Sequence, residues 1–158
     1  MKHKILHITS AHTRYDVRIF IKMCKSLSKV SGFDVIQVVA DGLGDEVHSG
    51  IQIIDVGKPQ GRFERFLFTP NKIFQKIKDI DASIYHLHDP ELILLGTRLL
   101  KQSKKVIFDA HEDLPKQVMT KPYLPKILRK ILPSLIRAFE KVTLRKFTFI
   151  ITATPSIK

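Results

Sequence analysis

The sequence predicts an α/β fold, a Rossmann-like parallel sheet with helices on both faces, built as a single domain over residues 1–158. Three observations point there. Short apolar runs alternate with longer segments of helical spacing, the order that right-handed β-α-β crossovers require. The runs are nearly continuous in apolar residues, as strands covered on both faces are. Polar residues gather at strand ends, above all in Ser83-Ile-Tyr-His-Leu-His-Asp-Pro-Glu91.

Taken in order, Lys4 to Thr9 reads as a buried strand. The basic-then-apolar start is too short for a secretory leader, is broken by His7 and has no small-residue cleavage site. Ser10 to Tyr15 is turn-like. Asp16 caps a helix to about Ser31, with Val17, Phe20, Ile21, Cys24 and Leu27 on the buried side and Arg18, Lys22, Lys25 and Lys29 opposite. Gly32 ends it. Phe33 to Ala40 is a second strand, Asp41 to Gly50 a loop, and Ile51 to Val56 a third strand at an edge. Gly57 to Phe68 shows no period. Thr69-Pro70 opens a helix to about Ile80, and the central strand with its Pro90 helix runs to about Gln102. Lys105 to Ala110 is the fifth strand and Phe149 to Ala153 the sixth. Between them lies a long basic, apolar segment from Pro122 to Phe147, which Pro133 is expected to break or kink. Thr154-Pro155 reads as the start of a further helix, so the chain is expected to be part of a longer protein.

Composition sets the bounds. Hydrophobic residues at 44% and charged residues at 27% fit a globular chain. The single cysteine, Cys24, excludes an internal disulfide and fits a reducing, cytoplasmic compartment. No run is long enough to cross a membrane as a helix. The net charge of +12 calls for an anionic partner. No glycine-rich fingerprint follows the first strand and no phosphate-binding Gly-x-x-x-x-Gly-Lys-Ser/Thr occurs, which argues against a dehydrogenase and a phosphate-loop NTPase.

The candidate site follows from strand geometry. Period two puts His86 and His88 on one face and Tyr85 and Leu87 on the other, with His86 the deeper of the pair. Asp89 stands at a helix cap and Pro90 at the first helical position. His111 and Glu112 lie just beyond the fifth strand, and Ser10 and His12 in the loop after the first; in open α/β sheets ligands bind at these carboxyl ends. Arg14 and Arg18 flank a helix start, where cations and backbone N–H groups can hold a phosphate together. Each residue also has a plainer role: a core histidine, a helix cap, a solvated loop, a basic surface.

His86-Leu-His-Asp-Pro-Glu-Leu92 followed by Val106-Ile-Phe-Asp-Ala-His-Glu-Asp113 resembles the amino-terminal domain of GT-B glycosyltransferases of family 4. The opening His7-Ile-Thr-Ser-Ala-His-Thr-Arg-Tyr-Asp-Val-Arg-Ile-Phe20 is similar to members that build bacterial surface polysaccharide, capsule included. Ile150-Ile-Thr-Ala-Thr-Pro155 resembles the family's last strand before the change of domain. The resemblance implies one half of a GT-B fold, acting with a carboxyl-terminal nucleotide-sugar domain that this chain lacks. It implies retaining transfer of a sugar, hexosyl in type, from a nucleotide-sugar co-substrate to a saccharide acceptor, with no further cofactor and no metal. His88 aligns with the histidine at the reaction centre. Ser10, His12, Arg14, Arg18, Asp89, His111 and Glu112 are the substrate-binding candidates. The fragment alone is expected to be inactive.

Two other classes stay open. His86, His88 and His111 with nearby carboxylates could serve a metal-dependent hydrolase. Charge alone admits a nucleic-acid binder, although no recognised motif supports it. Residues 121–146 hold eight basic residues against one acidic, Glu140, beside an apolar stripe of Leu128, Ile131, Leu132, Leu135, Ile136 and Phe139. That pattern suits either an anionic membrane surface, placing the chain on the inner face and its acceptor on a lipid, or a crossover helix packed on the sheet.

Overall fold

The computed structural model describes residues 2–110, 114–119 and 125–152. It holds a seven-stranded sheet of β1 (His3–Ile8), β2 (Phe33–Val39), β3 (Glu46–His48), β4 (Ile51–Asp55), β5 (Ile84–Leu87), β6 (Val106–Ala110) and β7 (Phe149–Thr152). The order is β3-β4-β2-β1-β5-β6-β7, and every pairing is parallel except β3 with β4. Without β3, this is the doubly wound order of a Rossmann-like sheet.

Strand alternation builds two cores. Leu6, Ile8, Ile36, Val38, Tyr85, Leu87, Val106 and Phe108 point to one face and meet α3 (Thr69–Ile77) and α4 (Ile93–Lys101). Val35, Val39, Ile51 and Ile53 point to the other and meet Ile19, Phe20 and Cys24 of the first helix. Helices therefore cover both faces, as the sequence predicts.

Four local expectations are corrected. The segment 41–50 contains β3, so the third predicted strand is not the edge; β3 pairs with it antiparallel through Glu46↔Ile53 and His48↔Ile51. Residues 57–68 contain α2 (Arg62–Leu67), too short to display a period. The first helix opens as a π-helix, Val17–Cys24, before α1 (Lys25–Ser28). Its wider turn buries Ile19, Phe20 and Cys24 and leaves Val17 and Ile21 exposed, against the 3.6-residue spacing expected. Finally, α6 (Lys126–Leu144), which follows α5 (Leu114–Met119), runs unbroken through the buried Pro133. Residues 153–158, including Thr154-Pro155, lie outside the described residues. Among the described residues no helix is long and apolar enough to cross a membrane.

Candidate functional site

The chain leaves β1 for β2 on one side and reaches β5 on the other, so the carboxyl ends of β1 and β5 flank the topological switch point. This is where doubly wound sheets open a crevice. His7, Thr9 and Ser10 come from β1 and its end, and His86, His88 and Asp89 from β5.

Asp89 organises the crevice. Its backbone occupies the cap position of the short 3-10 turn Pro90–Leu92, but its side chain makes no cap hydrogen bond. It reaches across to the β1 loop instead. Oδ2 accepts from the Thr9 hydroxyl at 2.7 Å, the Ser10 N–H at 2.7 Å and the Ala11 N–H at 3.2 Å. Oδ1 lies 3.1 Å from His12 Nδ1. Burial raises the Asp89 pKa, but hydrogen bonds from His12, Ser10 and Thr9 outweigh it and hold the carboxyl at about 2. Beside it the Ser10 hydroxyl donates to Glu91 Oε1 at 2.8 Å, and Arg65 Nε lies 2.7 Å from the same oxygen. Glu91 is pushed up, first by burial and then by Asp89.

A second network runs beneath. His7 Nδ1 and His88 Nε2 are 3.0 Å apart, His88 Nδ1 is 3.3 Å from Asp109 Oδ2, and Arg18 Nε donates to Asp109 Oδ2 at 3.1 Å. Arg18 also binds Asp109 Oδ1 with its terminal nitrogen. His7 and His88 are fully buried and Asp109 nearly so. Burial first, then the neighbouring imidazoles, holds His7 well below its ordinary value, and the same causes bring His86 down to about 3. Both rings are therefore neutral. Asp109 is lowered: burial raises it, but the His88 hydrogen bond and the His88 and Arg18 charges prevail.

The order of depth reverses the sequence reading. His88 at the strand end is completely buried, whereas His86 keeps 7% exposure. The β1 loop is tied to the residue after His88 by the Ser10 and Ala11 N–H bonds to Asp89.

The two arginines separate. Arg18 joins the site through Asp109, with a third of its side chain exposed. Arg14 is buried against the β2–β3 loop: Nε donates to Asp41 Oδ2 at 2.8 Å, and its terminal nitrogens reach Asp41 Oδ1, the Gly44 carbonyl and Glu46. Nor are the first backbone N–H groups of the helix free for a phosphate, because Asp16 accepts from Arg18 N–H and Ile19 N–H at 2.9 Å each. Ser10, His12, Arg18, His88 and Asp89 thus converge, Arg14 does not, and His111 and Glu112 lie outside the described residues. His7, Asp109, Glu91 and Arg65 escaped the sequence reading. Two of them left a signal: a charge inside the apolar run 106–110, and a histidine inside the run 4–9.

Elsewhere α5 and α6 enclose an open groove of about 630 Å³, lined by Lys126, Arg129, Lys130 and Arg137 with Met119 and Pro133. Leu128, Ile131, Leu135 and Phe139 are exposed on the side of α6 away from this groove, so this stripe is not packed on the sheet.

No family model matches the chain, and no curated protein matches it. Among solved structures the fold is similar to sucrose-phosphate synthase from Thermosynechococcus elongatus, with a TM-score of 0.65 at 13% identity. The match covers 98% of this chain and 43% of that one, so the chain spans less than half the length of its structural neighbour. The likeness and the strand order together give the chain a Rossmann-like α/β fold, consistent with one half of a GT-B fold.

Proposed function

We propose that this chain is the acceptor-side domain of a retaining family 4 glycosyltransferase, acting in surface-polysaccharide synthesis with a nucleotide-sugar domain. The observation that carries the reading is the polar constellation at the switch point, where His12, Asp89, His88, Asp109 and Arg18 gather in the crevice that binds ligands in this architecture. The fold likeness to an enzyme more than twice the chain's matched length supports a partner domain across that crevice.

Each side chain then has a task. His88 stands with Nδ1 3.3 Å from Asp109 Oδ2, which orients the ring and leaves Nε2 to exchange His7 for a hydroxyl of the transferred sugar. Arg18 keeps Asp109 ionised and fixes its direction. His12 and Arg18, the partly exposed members, meet acceptor hydroxyls or phosphate at the rim. The four cations of the groove between α5 and α6 fit an acceptor whose phosphate is carried on a lipid at an anionic membrane.

Calorimetry separates donor from acceptor. A polyprenyl diphosphate-linked saccharide should bind the chain, and a panel of UDP- and GDP-sugars should not. Tight binding of a nucleotide sugar with none of the acceptor would overturn the assignment of this half. Loss of acceptor binding in Lys130→Glu/Arg137→Glu is expected, and unchanged binding would remove the groove from the reading.

A further inference from the structure

One face of the sheet carries a buried polar row that glycosyl transfer leaves unexplained. Gln37, His7 and His86 are register neighbours on β2, β1 and β5, so their side chains lie side by side. Gln37 and His7 are fully buried and His86 is more than nine-tenths buried. Four side-chain atoms in this row have no hydrogen-bond partner: both amide atoms of Gln37, His7 Nε2 and His86 Nε2. Buried polar atoms are normally paired, and a run of unpaired ones in three adjacent residues marks a place for a polar occupant.

His88 completes the group. One ring nitrogen from each of His7, His86 and His88 lies within 4.8 Å of the others. The ring centroids are 4.9 Å apart for His7 and His86, 5.3 Å for His7 and His88, and 4.4 Å for His86 and His88. Three imidazoles on one tetrahedral zinc, at Zn–N lengths of about 2.0–2.1 Å, place their centroids about 5 Å apart. The rings already stand near that spacing. The outer contact is present too: His88 Nδ1 faces the Asp109 carboxylate, the arrangement that orients a metal-binding histidine and presents Nε2 to the ion.

We propose that His7, His86 and His88 form a three-imidazole site for one divalent transition-metal ion, zinc in the first instance, bridging β1 and β5. The ion replaces the contact between His7 Nδ1 and His88 Nε2, takes His86 Nε2 as its third ligand and leaves its fourth position to water. Imidazole ligands favour zinc, copper, nickel and cobalt over magnesium or calcium. Because the ion occupies His88 Nε2, it competes with any hydroxyl that needs this nitrogen. The proposal does not depend on the chain's being a glycosyltransferase.

Cobalt is the probe. Metal-free chain titrated with Co²⁺ should show the visible bands of a four-coordinate ion, saturate at one per chain, lose them to Zn²⁺ and melt at a higher temperature. His86→Gln should weaken binding by at least tenfold, and Asp109→Asn by about 10–100-fold through the lost orienting contact. His48→Gln and His3→Gln should leave the spectrum unchanged. Absence of saturable binding in the unaltered chain overturns the site, whatever the variants do. So does binding that survives His86→Gln but not His48→Gln or His3→Gln.

Discussion

The Ser10 N–H donates to Asp89 Oδ2 at 2.7 Å across 79 residues of sequence. Three further donors on residues 9, 11 and 12 converge on the same carboxylate, so the crevice wall and the β5 end form one unit. Asp89→Ala is expected to cost about 3 kcal/mol, since hydrogen bonds to a charged acceptor are worth about 1.5–3 kcal/mol each and the buried donors are left unpaired. Chemical denaturation would measure it, with Asp81→Ala, on an exposed carboxylate paired with Lys104, as the near-neutral comparison. Equal midpoints for the two variants would show that the β1 loop holds its place without Asp89.

His88→Ala is expected to affect both stability and turnover. Its burial beside His7 and Asp109 means that truncation leaves two partners short, at about 1–3 kcal/mol. In an assembled transferase the loss of a preorganised contact should also lower kcat by about a hundredfold to a thousandfold. Leu87→Ala, fully buried on the other face, should cost about 2–5 kcal/mol in stability with little kinetic effect in the folded fraction. Melting curves matched with initial rates distinguish the two patterns.

Acid should weaken the fold in two stages. His7 and His86 remain neutral when folded but take up protons in the unfolded chain below about pH 6.5. The unfolded state then binds more protons, so stability falls as pH drops below that value, and for His86 the loss continues to about 3. Asp89 and Asp109 have lowered values, so their contribution is intact above the ordinary carboxylate range and is lost only as pH falls through their folded values. Denaturation midpoints between about pH 7 and pH 4.5 should fall, and less steeply in His86→Gln. A flat profile there would mean that the imidazoles are not held neutral.

Gly96→Ala tests the packing of α4 against the sheet. An added Cβ would stand 2.4 Å from Phe147 and 2.9 Å from Leu87. Neither ring nor branched side chain can retreat within a packed core, and overpacking of this kind costs about 1–3 kcal/mol, against the gain that alanine gives an exposed helix. A melting temperature at or above that of the unaltered chain would contradict it.

Charge and the exposed stripe of α6 predict membrane binding. The chain should sediment with anionic vesicles and be released as salt rises, because its net charge is +12 and the groove residues are cationic. Exposed Ile131 and Leu135 should add an apolar contribution that salt does not remove, lost in Ile131→Ser/Leu135→Ser. Equal sedimentation with neutral vesicles would end the electrostatic argument.

The parts of the fold legible in the sequence were those set by local pattern. Buried strands such as 33–39 and 106–110 announce themselves as apolar runs, and the shared face of His86 and His88 follows from period two. The three residues of β3 carry no such pattern, since an exposed edge strand needs no apolar face. Within the site, residue types at strand ends were legible but their partners were not. Nothing within residues 83–91 shows that Asp89 would turn to the β1 loop instead of capping its own helix, and nothing near Arg14 shows that Asp41 and Glu46 would take it. Those choices are made by contacts dozens of residues apart. His7 entered the cluster for the same reason, through its register with His86.

The π-helix at Val17–Cys24 makes chain length itself a variable of the site. A turn that closes on the fifth residue is what an α-helix becomes when one residue is added between fixed ends. Here the ends are fixed by Asp16 at the start and by the buried Cys24. Deleting one residue between Ile21 and Met23 would restore ordinary helical spacing, and Arg18 and Cys24 could no longer both keep their places against Asp109 and the β2–β4 core. Substitution scans over this stretch would miss the constraint, whereas a one-residue deletion would expose it.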